Sequence, residues 1–151
     1  MRPVHVAQAS REIMDRAFVT GMYYWIYDLR DDNTFTRDPE SYEYLKAMIC
    51  LRKFWLEKFG QGTFADTEGI VEKPDGIRAA VYRQEKALLL VCANTTGQEQ
   101  PLAVTVPDGC SAVSYTAADT VHEAPVKWEQ ANGKAVLSVP AAPLSLIFLK
   151  Y

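Results

Sequence analysis

Cysteine and histidine are scarce in this chain of 151 residues, which has three cysteines and two histidines. Cys50, Cys92 and Cys110 are odd in number and far apart, so thiols in a reducing compartment are a better interpretation than a disulfide framework. His5 and His122 are isolated, and no histidine or cysteine pair has the spacing of metal ligands. The sequence therefore predicts no metal site and no cofactor.

The chain also lacks a strong charge excess and a long apolar run. Its formal net charge is −3, which argues against nucleic acid or an anionic membrane surface as the main partner. No apolar run approaches the roughly 18–20 residues that cross a bilayer. The N-terminal segment has no apolar centre of the kind that a signal peptide needs. We therefore expect no membrane partner, and a cytoplasmic location if Met1 is the natural start.

Motifs for a hydrolase nucleophile or a phosphate-binding loop are absent, because no Gly-x-Ser-x-Gly occurs and the glycines sit singly. Carboxylates are the only remaining candidates for catalytic groups, because Asp28, Asp31 and Asp32 follow an aromatic run over residues 22–27. A glycosidase needs two acids beside the bond that it cleaves, and Trp25 could contact the apolar face of a sugar. Ordinary loop chemistry explains the acids better, so we assign no catalytic residue and keep Trp25 and Asp28 as candidate carbohydrate contacts.

The chain is predicted to contain a long helix over residues 38–59. Asp38 can cap it, Pro39 suits its first position, and Glu40 lies where the helix dipole favours an acid. Gly60 ends it. Its apolar residues, at steps of three and four, are Leu45, Met48, Ile49, Trp55, Leu56 and Phe59, widened by Tyr44, Leu51 and Phe54. So wide an apolar face needs packing on more than one side.

The segment before this helix has two interpretations. A short helix can run from Arg11 to Phe18, with Gly21 as its stop, and the aromatic run over residues 22–27 can then form a strand. Alternatively, one helix covers residues 11–27. The residue types favour the strand, but periodicity alone does not decide between the two.

After Gly60 the pattern changes to short alternating segments separated by glycine, proline and asparagine turns, which indicates strands. The predicted strands cover residues 68–73, 77–83, 86–93, 102–106, 112–116, 126–130, 134–139 and 144–149. We expect a mainly β protein, an antiparallel β-sandwich of about eight strands preceded by one short and one long helix. Residues 1–61 would form the helical segment and residues 62–151 the sandwich.

Two aromatic residues in the predicted strands, Tyr115 and Trp128, could form a platform on which a sugar ring stacks. A tryptophan in an alternating strand is more often part of the core, and this interpretation is favoured. The platform requires both rings to be exposed on one face. Asn94 begins an N-glycosylation pattern, Asn-Thr-Thr, but a three-residue pattern occurs readily by chance.

The long helix and the residues after it resemble the end of a (β/α)8 glycoside hydrolase. The segments that carry this resemblance are Tyr44-Leu45-Lys46, Leu51-Arg52-Lys53-Phe54 and Phe59-Gly60-Gln61-Gly62-Thr63-Phe64. In such enzymes a last barrel helix of this kind leads into a C-terminal β-sandwich. The tail is similar to the accessory domain of alpha-galactosidase-like and related bacterial barrel glycosidases, through residues 77–83, residues 88–91 with Asn94 after them, and residues 143–149.

This resemblance implies that residues 22–27 and 38–59 correspond to the last strand and last helix of a barrel. Catalytic acids in these barrels lie at the ends of middle strands, so the resemblance transfers no catalytic residue to this chain. We therefore expect a C-terminal fragment or accessory domain that is structural and not catalytic on its own. A free-standing carbohydrate-binding module is the alternative, and it would have carbohydrate as its ligand.

The wide apolar face of the long helix also predicts an interface. In a barrel enzyme one side of this helix would rest on the barrel. An uncovered apolar patch is unfavourable by roughly 25 cal/mol per Å2, and large patches usually mark interfaces. The aromatic run could fold back onto the helix or onto the sandwich, but we expect a homodimer formed by the first 60 residues.

Overall fold

The computed structural model of this chain describes residues 11–22 and 39–151. In these residues two helices precede ten strands, which form two antiparallel sheets. The helices are α1 (Arg11–Val19) and α2 (Pro39–Phe59). The strands are β1 (Thr63–Phe64), β2 (Ile70–Glu72), β3 (Ile77–Gln84), β4 (Ala87–Asn94), β5 (Gln100–Thr105), β6 (Ser111–Ala117), β7 (Val121–Pro125), β8 (Trp128–Ala131), β9 (Lys134–Val139) and β10 (Leu144–Lys150). The predicted fold class, a mainly β sandwich preceded by a short and a long helix, is confirmed.

The first helix ends in a Schellman cap. Gly21 has a φ of 73°, in the left-handed region that favours glycine, and its N–H donates to the Phe18 carbonyl at 3.2 Å. The Met22 N–H donates to the Ala17 carbonyl at 2.9 Å. Because this cap stops the helix, the predicted short helix is confirmed and the alternative of one helix over residues 11–27 is wrong.

The second helix agrees with its prediction to within one residue, and Gly60 follows its end at a φ of 69°. Two other predictions fall on residues outside the described part of the chain. One is the cap at Asp38, and the other is the strand over residues 22–27, except for Met22, which lies in no strand.

The two sheets pack in layers. The larger sheet has six strands in the order β1-β3-β4-β10-β6-β7, and the smaller has four in the order β2-β5-β9-β8. Strand β4 lies inside the larger sheet with all eight of its residues buried, as its apolar sequence predicted. The helices cover one face of the six-stranded sheet and the four-stranded sheet covers the other. Successive residues of β4 therefore point into two different cores.

The helix-facing core lies between the helices and the six-stranded sheet, and it includes Phe18, Leu51, Trp55, Tyr82, Leu89, Val91, Tyr115 and Leu146. The inter-sheet core lies between the two sheets, and it includes Val81, Leu88, Leu90, Cys92, Leu102, Leu137, Ile147 and Leu149. The six-stranded sheet is thus covered on both faces, which leaves the outer face of the four-stranded sheet without a described layer over it.

Two observed strands were not predicted. β1 has only two residues, and β7 is an edge strand whose residues are almost all exposed, so neither shows apolar alternation. The predicted hairpin between β8 and β9 is confirmed. Its turn residues Asn132 and Gly133 have φ values of 54° and 73°, as a two-residue type I′ turn requires.

Candidate functional site

The structure does not bring the predicted carbohydrate contacts together. Tyr115 lies on β6 in the helix-facing core and is only 4% exposed. Trp128 lies on β8 in the other sheet, half-buried, and packs against the inter-sheet core. The two rings are therefore on opposite sides of the six-stranded sheet and share no platform. Trp25 and Asp28 lie outside the described residues.

Tyr115 belongs to an aromatic cluster under the C-terminal end of α2. Its ring centroid lies 4.8 Å from that of Phe54 and 5.7 Å from that of Phe59. The Lys58 ammonium lies 4.9 Å from the Tyr115 ring centroid and 3.8 Å from the Glu123 carboxylate. Burial is the main cause that raises the pKa of Tyr115. Through these contacts the Tyr115 ring holds α2 on the sheet. Packing therefore accounts for this aromatic residue, and no ligand is needed to explain it.

Asn94, the first residue of the glycosylation pattern, organises the turn after β4. Its side-chain Nδ2 donates to the carbonyls of Gln98 and Pro140, both at 2.8 Å. Its Oδ1 accepts from the Thr96 N–H at 2.9 Å and from the Thr96 hydroxyl at 2.7 Å. The side chain is buried and both amide hydrogens are in use, so this asparagine has a structural role in the folded chain.

A buried polar cluster joins the two helices. The Asp15 side chain is fully buried, and its Oδ1 accepts hydrogen bonds from the Tyr44 hydroxyl and from Arg11 Nε, the latter at 2.9 Å. The Arg11 guanidinium also lies 3.7 Å from the Tyr44 ring centroid. Burial, followed by the hydrogen bond to Asp15, raises the pKa of Tyr44 well above its usual range. Because the carboxylate is enclosed between helices, it holds α1 on α2 and is not accessible to a polymeric substrate.

A different surface, the outer face of the four-stranded sheet, is concave. Two adjoining depressions, with volumes of about 660 and 130 Å3, cross this face and meet at Pro101 and Val136. We call the pair the outer trough. Its lining includes Glu72, Lys73, Glu99, Lys127, Trp128 and Glu129. Trp128 pairs with Leu137, so its side chain is directed to the inter-sheet core and not to this outer face.

The outer trough follows from the alternation of β9. Ala135, Leu137 and Val139 point into the inter-sheet core, so the residues between them face outward. Of these, Val136 is 40% exposed, and it lies beside Ala103 and Pro101 on this face. An apolar residue at an outward strand position is the sequence signal that could have located the trough.

Two of the charged groups of the outer trough form an ion pair. Glu99 Oε2 accepts from Lys127 Nζ at 3.2 Å and from the Ser138 hydroxyl at 3.0 Å. The hydrogen bond from Lys127, followed by that from Ser138, lowers the pKa of Glu99, so this carboxyl is ionised at neutral pH. The general acid of a glycosidase needs the opposite, a raised pKa that keeps it protonated. Glu99 is therefore not suited to proton donation.

Among the described residues, no group of three or more His, Cys, Asp or Glu side chains could hold a metal ion. No helix within residues 11–22 and 39–151 is both long and apolar enough to cross a membrane.

Comparison with known proteins gives structural likeness only. No protein-family model and no curated protein sequence matches the chain. A glycoside hydrolase family 30 subfamily 8 xylanase from Clostridium acetobutylicum matches 99% of this chain and 39% of its own, with a TM-score of 0.50 and 17% identity. An alpha-amylase from H. orenii matches 85% of this chain and 25% of its own, with a TM-score of 0.47 and 16% identity. A GH30 xylanase C from Talaromyces cellulolyticus matches 53% of this chain and 19% of its own, with a TM-score of 0.41 and 14% identity.

The chain thus spans well under half the length of each of these proteins. At 17% identity the likeness to the Clostridium xylanase shows the fold alone. The predicted glycoside hydrolase-like fold is therefore confirmed at the level of architecture. The narrower assignment to alpha-galactosidase-like enzymes stays a prediction.

Proposed function

We propose that this chain is the C-terminal, non-catalytic part of a glycoside hydrolase. The observation that supports this most strongly is the order and packing of the two helices and the sandwich. The Clostridium xylanase has this arrangement over 99% of the chain, yet the match takes up only 39% of that enzyme. The remainder of such an enzyme is long enough for a catalytic barrel. The sequence resemblance of residues 77–83 and 143–149 supports an alpha-galactosidase-like bacterial parent.

The chemistry of the described carboxylates supports a structural role. Glycoside hydrolysis needs two carboxyl groups roughly 5–10 Å apart across the scissile bond, one of them protonated. Glu99 is held ionised by Lys127, and Asp15 is enclosed between α1 and α2. Neither is placed to protonate a glycosidic oxygen, so the helices and the sandwich would stabilise or position a catalytic domain.

The coding DNA on the 5′ side of the Met1 codon tests this proposal. We expect an open reading frame that continues upstream without a stop codon and encodes a (β/α)8 barrel. An in-frame stop codon close upstream, with no barrel-coding sequence before it, would contradict the assignment as part of a larger enzyme.

A free-standing carbohydrate-binding module is the second candidate, and the outer trough is the observation that favours it. The same DNA distinguishes the two candidates, because a free-standing module would have its own start codon and ribosome-binding site directly upstream. Binding of carbohydrate by itself does not distinguish them, since accessory domains of larger enzymes also bind sugars.

A further inference from the structure

We draw no further inference here: the strongest candidate, the depression of about 390 Å3 between the start of α1 and the turn from β2 to β3, is lined by three basic and three acidic side chains whose charges balance, and nothing in the structure shows what would occupy it.

Discussion

The two cores share one sheet but differ in chemistry. The inter-sheet core is made almost wholly of leucine, valine, isoleucine and alanine, with the buried thiol of Cys92 among them. The helix-facing core adds aromatic rings, such as Trp55, whose ring centroid lies 4.4 Å from that of Tyr82 in an edge-to-face arrangement. Phe59 and Phe148 stack there with their ring centroids 4.4 Å apart. Aliphatic packing thus joins the sheets, and aromatic packing joins the helices to them.

Polar groups are also concentrated on the helix side. The Tyr82 hydroxyl donates to the Val19 carbonyl at 2.9 Å, and Arg52 Nη2 donates to the Gly21 carbonyl. Both bonds fix the end of α1, and the bonds of Asp15 fix its middle. Hydrogen bonds are directional, whereas aliphatic contacts are not, so the helix-facing core determines how the helices sit on the sheet. Both cores bury apolar side chains, and the helix-facing core in addition fixes the orientation of the helices.

The largest expected effect comes from a cavity in either core. Leu90→Ala in the inter-sheet core and Leu51→Ala in the helix-facing core should each lower the free energy of unfolding by about 2–5 kcal/mol, because both side chains are fully buried. The measurement is urea denaturation followed by circular dichroism. The exposed change Ser111→Ala is the control and should stay within about 0.5 kcal/mol.

The shape of these curves also tests the predicted division at residues 61 and 62. If the two cores form one cooperative unit, Leu51→Ala lowers the midpoint of a single transition. A second, earlier transition in Leu51→Ala alone, with the β signal unfolding as in the unmodified chain, would show that the helices and the sandwich unfold separately.

The next largest loss of stability is expected in the buried polar cluster of Arg11, Asp15 and Tyr44. Tyr44→Phe removes the hydroxyl that donates to Asp15 and should cost about 1–3 kcal/mol, since a buried acceptor loses a partner. Tyr42→Phe, on the exposed side of the same helix, is the control and should be nearly neutral. A double-mutant cycle with Asp15→Asn measures the coupling directly. Additive losses from the two changes would contradict the role assigned to this hydrogen bond.

A pH dependence is expected from buried groups of both cores, because burial also raises the pKa of the Cys92 thiol in the inter-sheet core from 9.0 to about 12. Burial raises the pKa of Tyr82 from 10.0 to about 12, and the pKa of Tyr44 is raised further. Between pH 10 and 12 the unfolded chain loses these protons while the folded chain keeps them, so stability falls as pH rises. The slope is about 1.4 kcal/mol per pH unit at most for each such tyrosine.

Denaturation midpoints measured at pH 8, 10 and 11 should therefore fall from about pH 9 upward, first through Cys92 and then, above about pH 10, more steeply through the tyrosines. Near-ultraviolet titration of the folded chain supplies the matching observation, because buried tyrosines should ionise later than exposed ones. Ionisation of every tyrosine near pH 10 without unfolding would contradict this prediction.

The smallest effect on stability is expected on the outer side of the helices, where an interface is predicted. Ile49 on α2 is 57% exposed and Met22 is 61% exposed, so apolar surface remains there in one chain. Trp55, by contrast, is fully covered within the chain. We still predict a homodimer, with Ile49→Lys shifting it to monomer and changing stability little. Light scattering at micromolar concentration that gives one chain mass for the unmodified protein would contradict it.

The sequence alone was enough to predict those elements whose apolar pattern follows directly from their burial. α2 and β4 were located because one has apolar residues at helical spacing and the other is apolar throughout. β7 was missed because an exposed edge strand leaves no such pattern. A platform of Tyr115 and Trp128 could only be kept as the less favoured alternative, because alternation shows which residues share a strand face but not which sheet a strand joins. The hydrogen bond from Tyr44 to Asp15 could not be predicted either, because the two residues are 29 positions apart in the sequence.

The most direct measurement of the proposed function is hydrolysis by the purified chain itself. Incubation with a panel of aryl glycosides should release no more chromophore than a blank without protein, because Glu99 is held ionised by Lys127 and Asp15 is enclosed between α1 and α2. A glycosidase of known activity, assayed alongside, shows that each substrate is intact. Turnover well above the blank, abolished by Asp28→Ala, would contradict the claim that this chain contributes structure and not catalysis.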